Sequence, residues 1–336
     1  MSKRILVIAP LLFLFVAPVI AQDLDQYIEL AESSYDNSEK LVLLDSVLSK
    51  SFRKNPDVFI KYSLLAIDLA KELDSIEYAA KKAMNVQNTL LRSNKDPEKV
   101  ISIINAVLAH KYKIKDSFLI GGLYLKKGEA TSKLDLKAAV TDFTLALKNF
   151  GLKDSIHKAD AYLKRGHAYS YLGEFVAAGD DYDAAYNYYL VLKDFDYMLY
   201  AQQGKITMFS MNGFYDLAKN EREDLISKLI QFEHTESLAI EYYNQALDYK
   251  KTGNHELQLQ SLLEAKKFQN DTIKDRMFIN IHSKLAEYYS LNNNLNKAKE
   301  EIDLIEPSFN QINGDRFAEL SLSGAKATYL MAIGDL

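Results

Sequence analysis

The stretch ADAYLKRGHAYSYLGEFVAAGDDYDAAY, from Ala159 to Tyr186, decides the fold. Small residues fall at Gly166, Ala178 and Ala185, and aromatics at Tyr162, Tyr169, Phe175 and Tyr182, with Gly173 between two amphipathic halves. Residues three and four apart share one face of a helix, so each half presents an apolar stripe. Its small members let a neighbouring backbone approach closely. Glycine between the halves supplies the left-handed conformation in which helices commonly end. The expectation is two antiparallel helices around a tight reversal.

Sliding this unit along the chain shows repetition. Tyr169 is followed at intervals of 40 by Phe209, Tyr249 and Tyr289, and then at 41 by Leu330. Four positions later come Gly173, Gly213, Gly253, Asn293 and Gly334. Ala178 recurs as Ala218 and Ala298, although Gln258 breaks that series. Upstream, Tyr124, Gly128, Ala139, Phe143 and Ala146 keep the same pattern with one residue missing near Asp135.

A bulky residue, then Leu-Gly, then Tyr, then Ala…Phe…Ala resembles the tetratricopeptide repeat, with Arg165 standing where that pattern has Leu. The period of about 40 exceeds the usual ~34 of the class. The resemblance implies an all-α fold, a right-handed α-solenoid of stacked helix pairs. It covers residues 116–336 well and 22–115 loosely.

Composition agrees. The five prolines are Pro10, Pro18, Pro56, Pro97 and Pro307, so nothing interrupts a helix between Glu98 and Glu306. The pairs expected are 116–132 with 136–150, 156–172 with 174–191, 195–211 with 214–232, 236–252 with 255–268, and 274–291 with 294–306. Earlier helices are expected at 38–51, from Pro56, at 76–91 and at 97–109, the last opened by Asp96 as cap and Pro97 as first residue. Asp116, Asp154, Asp194 and Asp275 suit the starts of successive first helices.

Phe317 to Ile333 reads as a first helix and Gly334-Asp335 as its turn, after which the sequence stops at Leu336. Truncation within the last repeat is favoured over a lone capping helix.

Met1 to Ala21 reads as a secretory signal peptide. Lys3 and Arg4 supply its positive end, Ile5 to Ile20 its apolar core, and Val19-Ile20-Ala21 a cleavage site. An uncleaved signal anchor is the alternative, and Pro18 and Ala21 favour cleavage. Lys3 and Arg4 are two of 41 basic residues against 46 acidic ones, so the chain without this segment carries a net charge of −7. An acidic chain argues against nucleic acid as partner. With no cysteine, disulfides, thiolate metal sites and cysteine nucleophiles are excluded.

The six histidines lack a second ligand at helical metal spacing, so a satisfied or exposed role is expected for each. No metal and no cofactor is expected. Gly121-Gly122…Gly128 lacks the Lys-Ser/Thr of a phosphate loop, and no nucleophile elbow occurs. Asp180, Asp181 and Asp183 read as a solvated helix face, and Tyr182, Tyr186 and Tyr189 as a packing stripe. No acid–base pair for an enzyme is visible, and a groove free of perturbed ionisable groups would remove that reading.

The resemblance implies an inner groove lined by first helices. Carried onto this chain, the candidate groove positions are Asp160, Leu163, His167 and Ser170, then Tyr200, Gln203, Thr207 and Ser210. The next helix adds Ile240, Tyr243, Leu247 and Lys250. Their mixture suits a protein or peptide partner, against the alternative that the groove only scaffolds. The chain looks like the extracytoplasmic sensory or interaction region of a bacterial signalling protein, with a complete soluble periplasmic scaffold as the alternative. Membrane contact would come only through a signal anchor or a missing C-terminal segment.

Overall fold

A computed structural model of the protein describes residues 24–94, 96–270, 274–309 and 315–335. The proposed signal peptide, Met1 to Ala21, lies outside the described residues. Among them there are helices and no strands, and the chain divides into two compact units, Met1–Leu123 and Tyr124–Leu336.

The first unit contains α1 (Leu24–Ser33), α2 (Asn37–Ser51), α3 (Pro56–Glu72), α4 (Ile76–Thr89) and α5 (Pro97–Leu108). The unit boundary falls inside α6 (Ser117–Thr131). Consecutive helices pack from α1 to α5. Ala66 and Ala70 of α3 and Ala79, Ala80 and Ala83 of α4 are all buried, so these two backbones meet through small residues. Asn55 caps α3 through the Val58 amide (3.2 Å) and Asp96 caps α5 through that of Lys99 (2.9 Å), each with proline in the first turn. Helix α1 has no counterpart in the sequence expectation. Its Glu32 accepts a 2.6 Å hydrogen bond from the Tyr62 hydroxyl of α3, and Ala31 is fully buried. The helix expected at 76–91 stops as α-helix at Thr89 and widens into a π turn over Leu90–Asn94.

The second unit continues with α7 (Leu136–Asn149), α8 (Ser155–Leu172), α9 (Phe175–Leu192), α10 (Phe195–Met211) and α11 (Tyr215–Gln231). It ends with α12 (Leu238–Lys251), α13 (His255–Phe268), α14 (Arg276–Leu291), α15 (Leu295–Phe309) and α16 (Arg316–Ile333). Each helix packs on the next, and α8 with α10, α12 with α14 and α14 with α16 also touch. This is the helix-pair solenoid of tetratricopeptide type.

Five first-helix ends, those of α8, α10, α12, α14 and α16, are closed alike. Gly173, Gly213, Gly253 and Gly334 take φ between +75° and +81°, and Asn293 takes +57°. The amide one residue later bonds back to the carbonyl of the ring position: Glu174 to Tyr169 (3.0 Å), Phe214 to Phe209 (2.9 Å), Asn254 to Tyr249 (2.9 Å), Asn294 to Tyr289 (2.8 Å) and Asp335 to Leu330 (3.0 Å). This six-to-one closure satisfies a carbonyl that the helix end would otherwise orphan.

A polar couple recurs inside the pairs with the same period. Arg165 of α8 binds Asp181 of α9 bidentately (2.7 Å each), Lys205 pairs with Glu221 (2.8 Å), and Gln245 accepts from Ser261 (3.0 Å). Leu285 ends the series opposite Glu301, which His282 and Lys266 bind instead. Arg165 is therefore no flaw in its repeat; it joins the two helices and reaches Thr144 of α7 (2.9 Å). The solvated-face reading fails for Asp181, which is buried. Burial raises its carboxyl above the usual range, with Arg165 opposing. Asp183 pairs with Lys205 yet stays exposed, as Asp180 does, so the solvated-face reading holds for these two.

Three further expectations are corrected. Asp154 makes no side-chain bond to the helix it precedes; its carboxylate accepts from the Gly151 amide (2.7 Å). Asp116, Asp194 and Asp275 do accept from amides of the helices they open. Helix α15 runs through Pro307 to Phe309, because a proline in the last turn forfeits one bond without breaking the turn. His167 and His282 are satisfied at Nδ1 but have a buried Nε2 with no partner. The tyrosine stripe does pack, with Tyr182 and Tyr189 fully buried.

Two measurements test this construction. Phe143→Ala, at a buried ring against Gly128, should cost about 3–5 kcal/mol, and Gly173→Ala about 1–2 kcal/mol for its left-handed backbone. A reversed order in thermal denaturation would contradict the assignment of burial over turn geometry. Burial pushes the Glu301 carboxyl up, but bonds from His282 and Lys266 outweigh it and hold it below its usual 4.5. A depressed carboxyl stabilises the fold above its unfolded value and loses that contribution as pH falls through its folded value. Glu301→Gln should thus destabilise by about 3 kcal/mol at pH 7, and the gap to wild type should close below about pH 4.5.

Candidate functional site

Helices α8, α10 and α12 stand side by side as the first helices of three successive pairs, and between them lies a cavity of about 300 Å³. The end of α8 contributes His167, Ser170 and Tyr171. The middle and end of α10 contribute Tyr200, Gln203, Gly204, Thr207, Met208 and Met211. The start of α12 contributes Ile240, Glu241 and Asn244, while Tyr182 and Arg222 reach in from α9 and α11.

Of the groove positions expected from sequence, the cavity brings together His167, Ser170, Tyr200, Gln203, Thr207 and Ile240. The others go elsewhere. Leu163 is buried in the core at 4% exposure, so its groove assignment is corrected. Asp160 accepts a 2.6 Å bond from the Tyr189 hydroxyl. Ser210 donates to Asp248 (3.2 Å), Tyr243 packs against the core around Leu262 and Leu285, and Leu247 does not reach the cavity. Burial pushes the Tyr243 hydroxyl up to about 12. Lys250 is paired with Glu287 of α14 (3.2 Å). The cavity crosses the three helices obliquely, from the end of α8 to the start of α12. Equal repeat positions run straight down each helix, so a register carried over intact includes residues from the wrong ends.

The floor is ionic and buried. Arg222 donates to Glu241 (2.5 Å) and to Asp248 (3.2 Å), joining α11 to α12, and also to Ser210 of α10 (3.4 Å). Gln203 donates to the other oxygen of Glu241 (2.9 Å). Burial raises the Glu241 carboxyl, against the pull of Arg222 and Gln203. Beside this floor, His167 Nδ1 lies 2.8 Å from the Tyr182 hydroxyl. Burial and the nearby Lys164 lower the His167 imidazole, which is therefore neutral at pH 7, and burial raises the Tyr182 hydroxyl. Gly204 makes this packing possible: a Cβ there would stand 2.7 Å from the Tyr182 ring and 3.2 Å from that of His167. The groove thus contains perturbed ionisable groups, and the criterion that would have removed an enzyme reading is not met.

The rim is apolar and open. Tyr171 and Met211 are each 74% exposed, and Tyr200 and Ile240 are exposed too. Above the Glu241–Arg222 floor this leaves a mouth of aromatic and aliphatic surface with Thr207 and Asn244 on its walls.

Arg222, Glu241 and Asn244 were not among the expected groove residues. For Arg222 a signal existed. It falls four after Ala218, as Tyr182 follows Ala178, Leu262 follows Gln258 and Ile302 follows Ala298. A cation in an otherwise apolar register marks a local reason. Glu241 gave no comparable sign, because a carboxylate on a first helix normally faces water.

A smaller cavity lies among α9, α10 and α11, where Lys205 sits between Asp183 and Glu221, and Lys228 stacks over Tyr186 beside Asp224. Its charges are mutually paired. Among the described residues no group of three or more His, Asp or Glu side chains is placed to hold a metal ion, and no helix is long and apolar enough to cross a membrane.

No protein-family model matches this chain, and no curated protein matches it. Solved structures do. The apo form of RapI aligns over 93% of this chain and 84% of its own, at 12% identity and a TM-score of 0.65. A tetratricopeptide repeat protein from Parabacteroides merdae aligns over 89% and 98%, at 15% identity and 0.49. NprR, solved in complex with its cognate peptide NprX, aligns over 90% and 86%, at 14% identity and 0.40. At these identities the likeness to RapI concerns the fold alone.

Replacing Arg222 with Ala leaves Glu241 and Asp248 buried without their cation and should cost about 3–5 kcal/mol in chemical denaturation. Combining Arg222→Leu with Glu241→Gln and Asp248→Asn should recover most of it, since the register accepts an apolar residue in neighbouring pairs. If Arg222→Ala cost nothing, the triad would not be holding α11 to α12.

Proposed function

We propose that the second unit is a non-enzymatic binding module that takes an extended segment of a protein or peptide across α8, α10 and α12. The observation that carries this is the mouth of the 300 Å³ cavity, where exposed Tyr171, Tyr200, Met211 and Ile240 surround hydrogen-bonding side chains. Exposed aromatic and methionine side chains around a polar floor suit side-chain anchors with backbone hydrogen bonds between them. The perturbed Glu241, His167 and Tyr182 each have a structural partner, which favours binding over catalysis.

The cellular setting is likewise our proposal. The Met1–Ala21 pattern supports export, and the long-period repeats support an extracytoplasmic sensory or interaction region of a bacterial signalling protein. A native product retained in the inner membrane and much heavier than 38.2 kDa would agree. A soluble periplasmic product would leave a free scaffold.

The groove is tested by plugging it. Thr207 is exposed on the cavity wall, so Thr207→Trp fills the space without touching the ionic floor. A dodecapeptide library displayed on phage and panned over the full chain should yield peptides that bind at least tenfold more weakly to this variant. Peptides that bind both proteins equally would place the binding surface elsewhere.

A further inference from the structure

The charges of the floor do not balance. Glu241 and Asp248 both lean on Arg222, the only Lys or Arg side chain lining the cavity among the described residues, and His167 beside them is neutral at pH 7. The nearby lysines are committed elsewhere, Lys164 to Glu129 (3.3 Å) and Lys205 to Asp183 and Glu221. With both carboxylates ionised the triad has one negative charge in excess, and its Glu241 and Arg222 line the floor of the open cavity. Burial raises the Glu241 carboxyl, Arg222 and Gln203 pull it down, and the neighbouring Asp248 adds to the rise. A buried charge in this condition is stabilised by an incoming opposite charge far more than a solvated one would be.

The walls suit a particular carrier of that charge. Tyr171 and Tyr200 present rings at the mouth, Met211 and Ile240 present aliphatic surface, and the polar atoms sit deeper. A long side chain with an apolar stem and a cationic head matches this order: rings attract the cation on its way in, and the stem covers the rim. An acidic or purely aliphatic side chain would leave the floor uncompensated.

From this we infer that the cavity is a pocket for a basic side chain, a lysine or arginine of the bound segment, with its charged head on Glu241 and its stem between Tyr171, Tyr200 and Met211. The inference rests on the groove reading above and names its specificity.

Asn244 provides the test. It lines the cavity beside Glu241 but lies outside the triad, so its charge can be altered with the floor intact. Peptides selected from the dodecapeptide library on the full chain should share one lysine or arginine, and synthetic copies with norleucine or citrulline there should bind at least tenfold more weakly. Asn244→Lys should weaken the basic peptides at least tenfold, and Asn244→Asp should tighten them, with thermal melts confirming that both variants fold. Selected peptides that are sensitive to Thr207→Trp but keep full affinity without a basic residue would overturn this inference and leave the groove reading standing. A selection with no peptide sensitive to Thr207→Trp would overturn both.

Discussion

Everything in the second unit follows from how its helices reverse. A helix that must return against itself within two residues needs a left-handed residue and a partner for its last free carbonyl. Gly173, Gly213, Gly253 and Gly334 meet the first need, and Asn293 substitutes at one position. The amide that follows meets the second by bonding to the carbonyl of Tyr169, Phe209, Tyr249, Tyr289 or Leu330. Because the reversal is closed alike in α8–α9, α10–α11, α12–α13 and α14–α15, the second helix of each of these pairs leaves in the same direction. The small residues that follow, Ala178, Ala218 and Ala298, are then fully buried where the helices cross.

That regular frame lets polar groups be placed inside it. Arg165–Asp181, Lys205–Glu221 and Gln245–Ser261 occupy one position of three successive pairs, passing from a bidentate ion pair to a neutral hydrogen bond. The couple joins two helices already held by apolar packing, so its chemistry can drift while the geometry stays. Arg222 breaks the pattern differently. It stands in a register filled by Tyr182, Leu262 and Ile302, and its charge is tolerated because Glu241 and Asp248 of α12 converge on it. A buried cation with two anions adds little net stability compared with an apolar side chain. Its presence at the floor of the cavity between α8, α10 and α12 ties it to that opening.

The candidate site was legible in kind and only partly in membership. Of the expected first-helix positions, His167, Ser170, Tyr200, Gln203 and Thr207 do meet in one cavity. Leu163, at the same repeat position as Gln203, is in the core, and Asp160, equivalent to Tyr200, is engaged by Tyr189. Repeat register tells which face a residue occupies. It does not tell at which height along the helix three neighbouring faces open into a cavity, because that depends on how each helix is tilted across the next.

By itself, the sequence determined the helix pairs, their period and their turn residues, since these rest on local physics: apolar spacing, glycine at positive φ and caps such as Asp96, Asp194 and Asp275. Tertiary structure alone decided which polar residues would be neighbours. Asp181 looked solvated until Arg165 covered it, and Glu241 looked like any surface carboxylate until Arg222 and Gln203 enclosed it. Such pairings join residues 16 to 38 positions apart on different helices. Helical periodicity relates only neighbours along one helix, so the contacts that give the groove its charge arise from the packing of one helix on another.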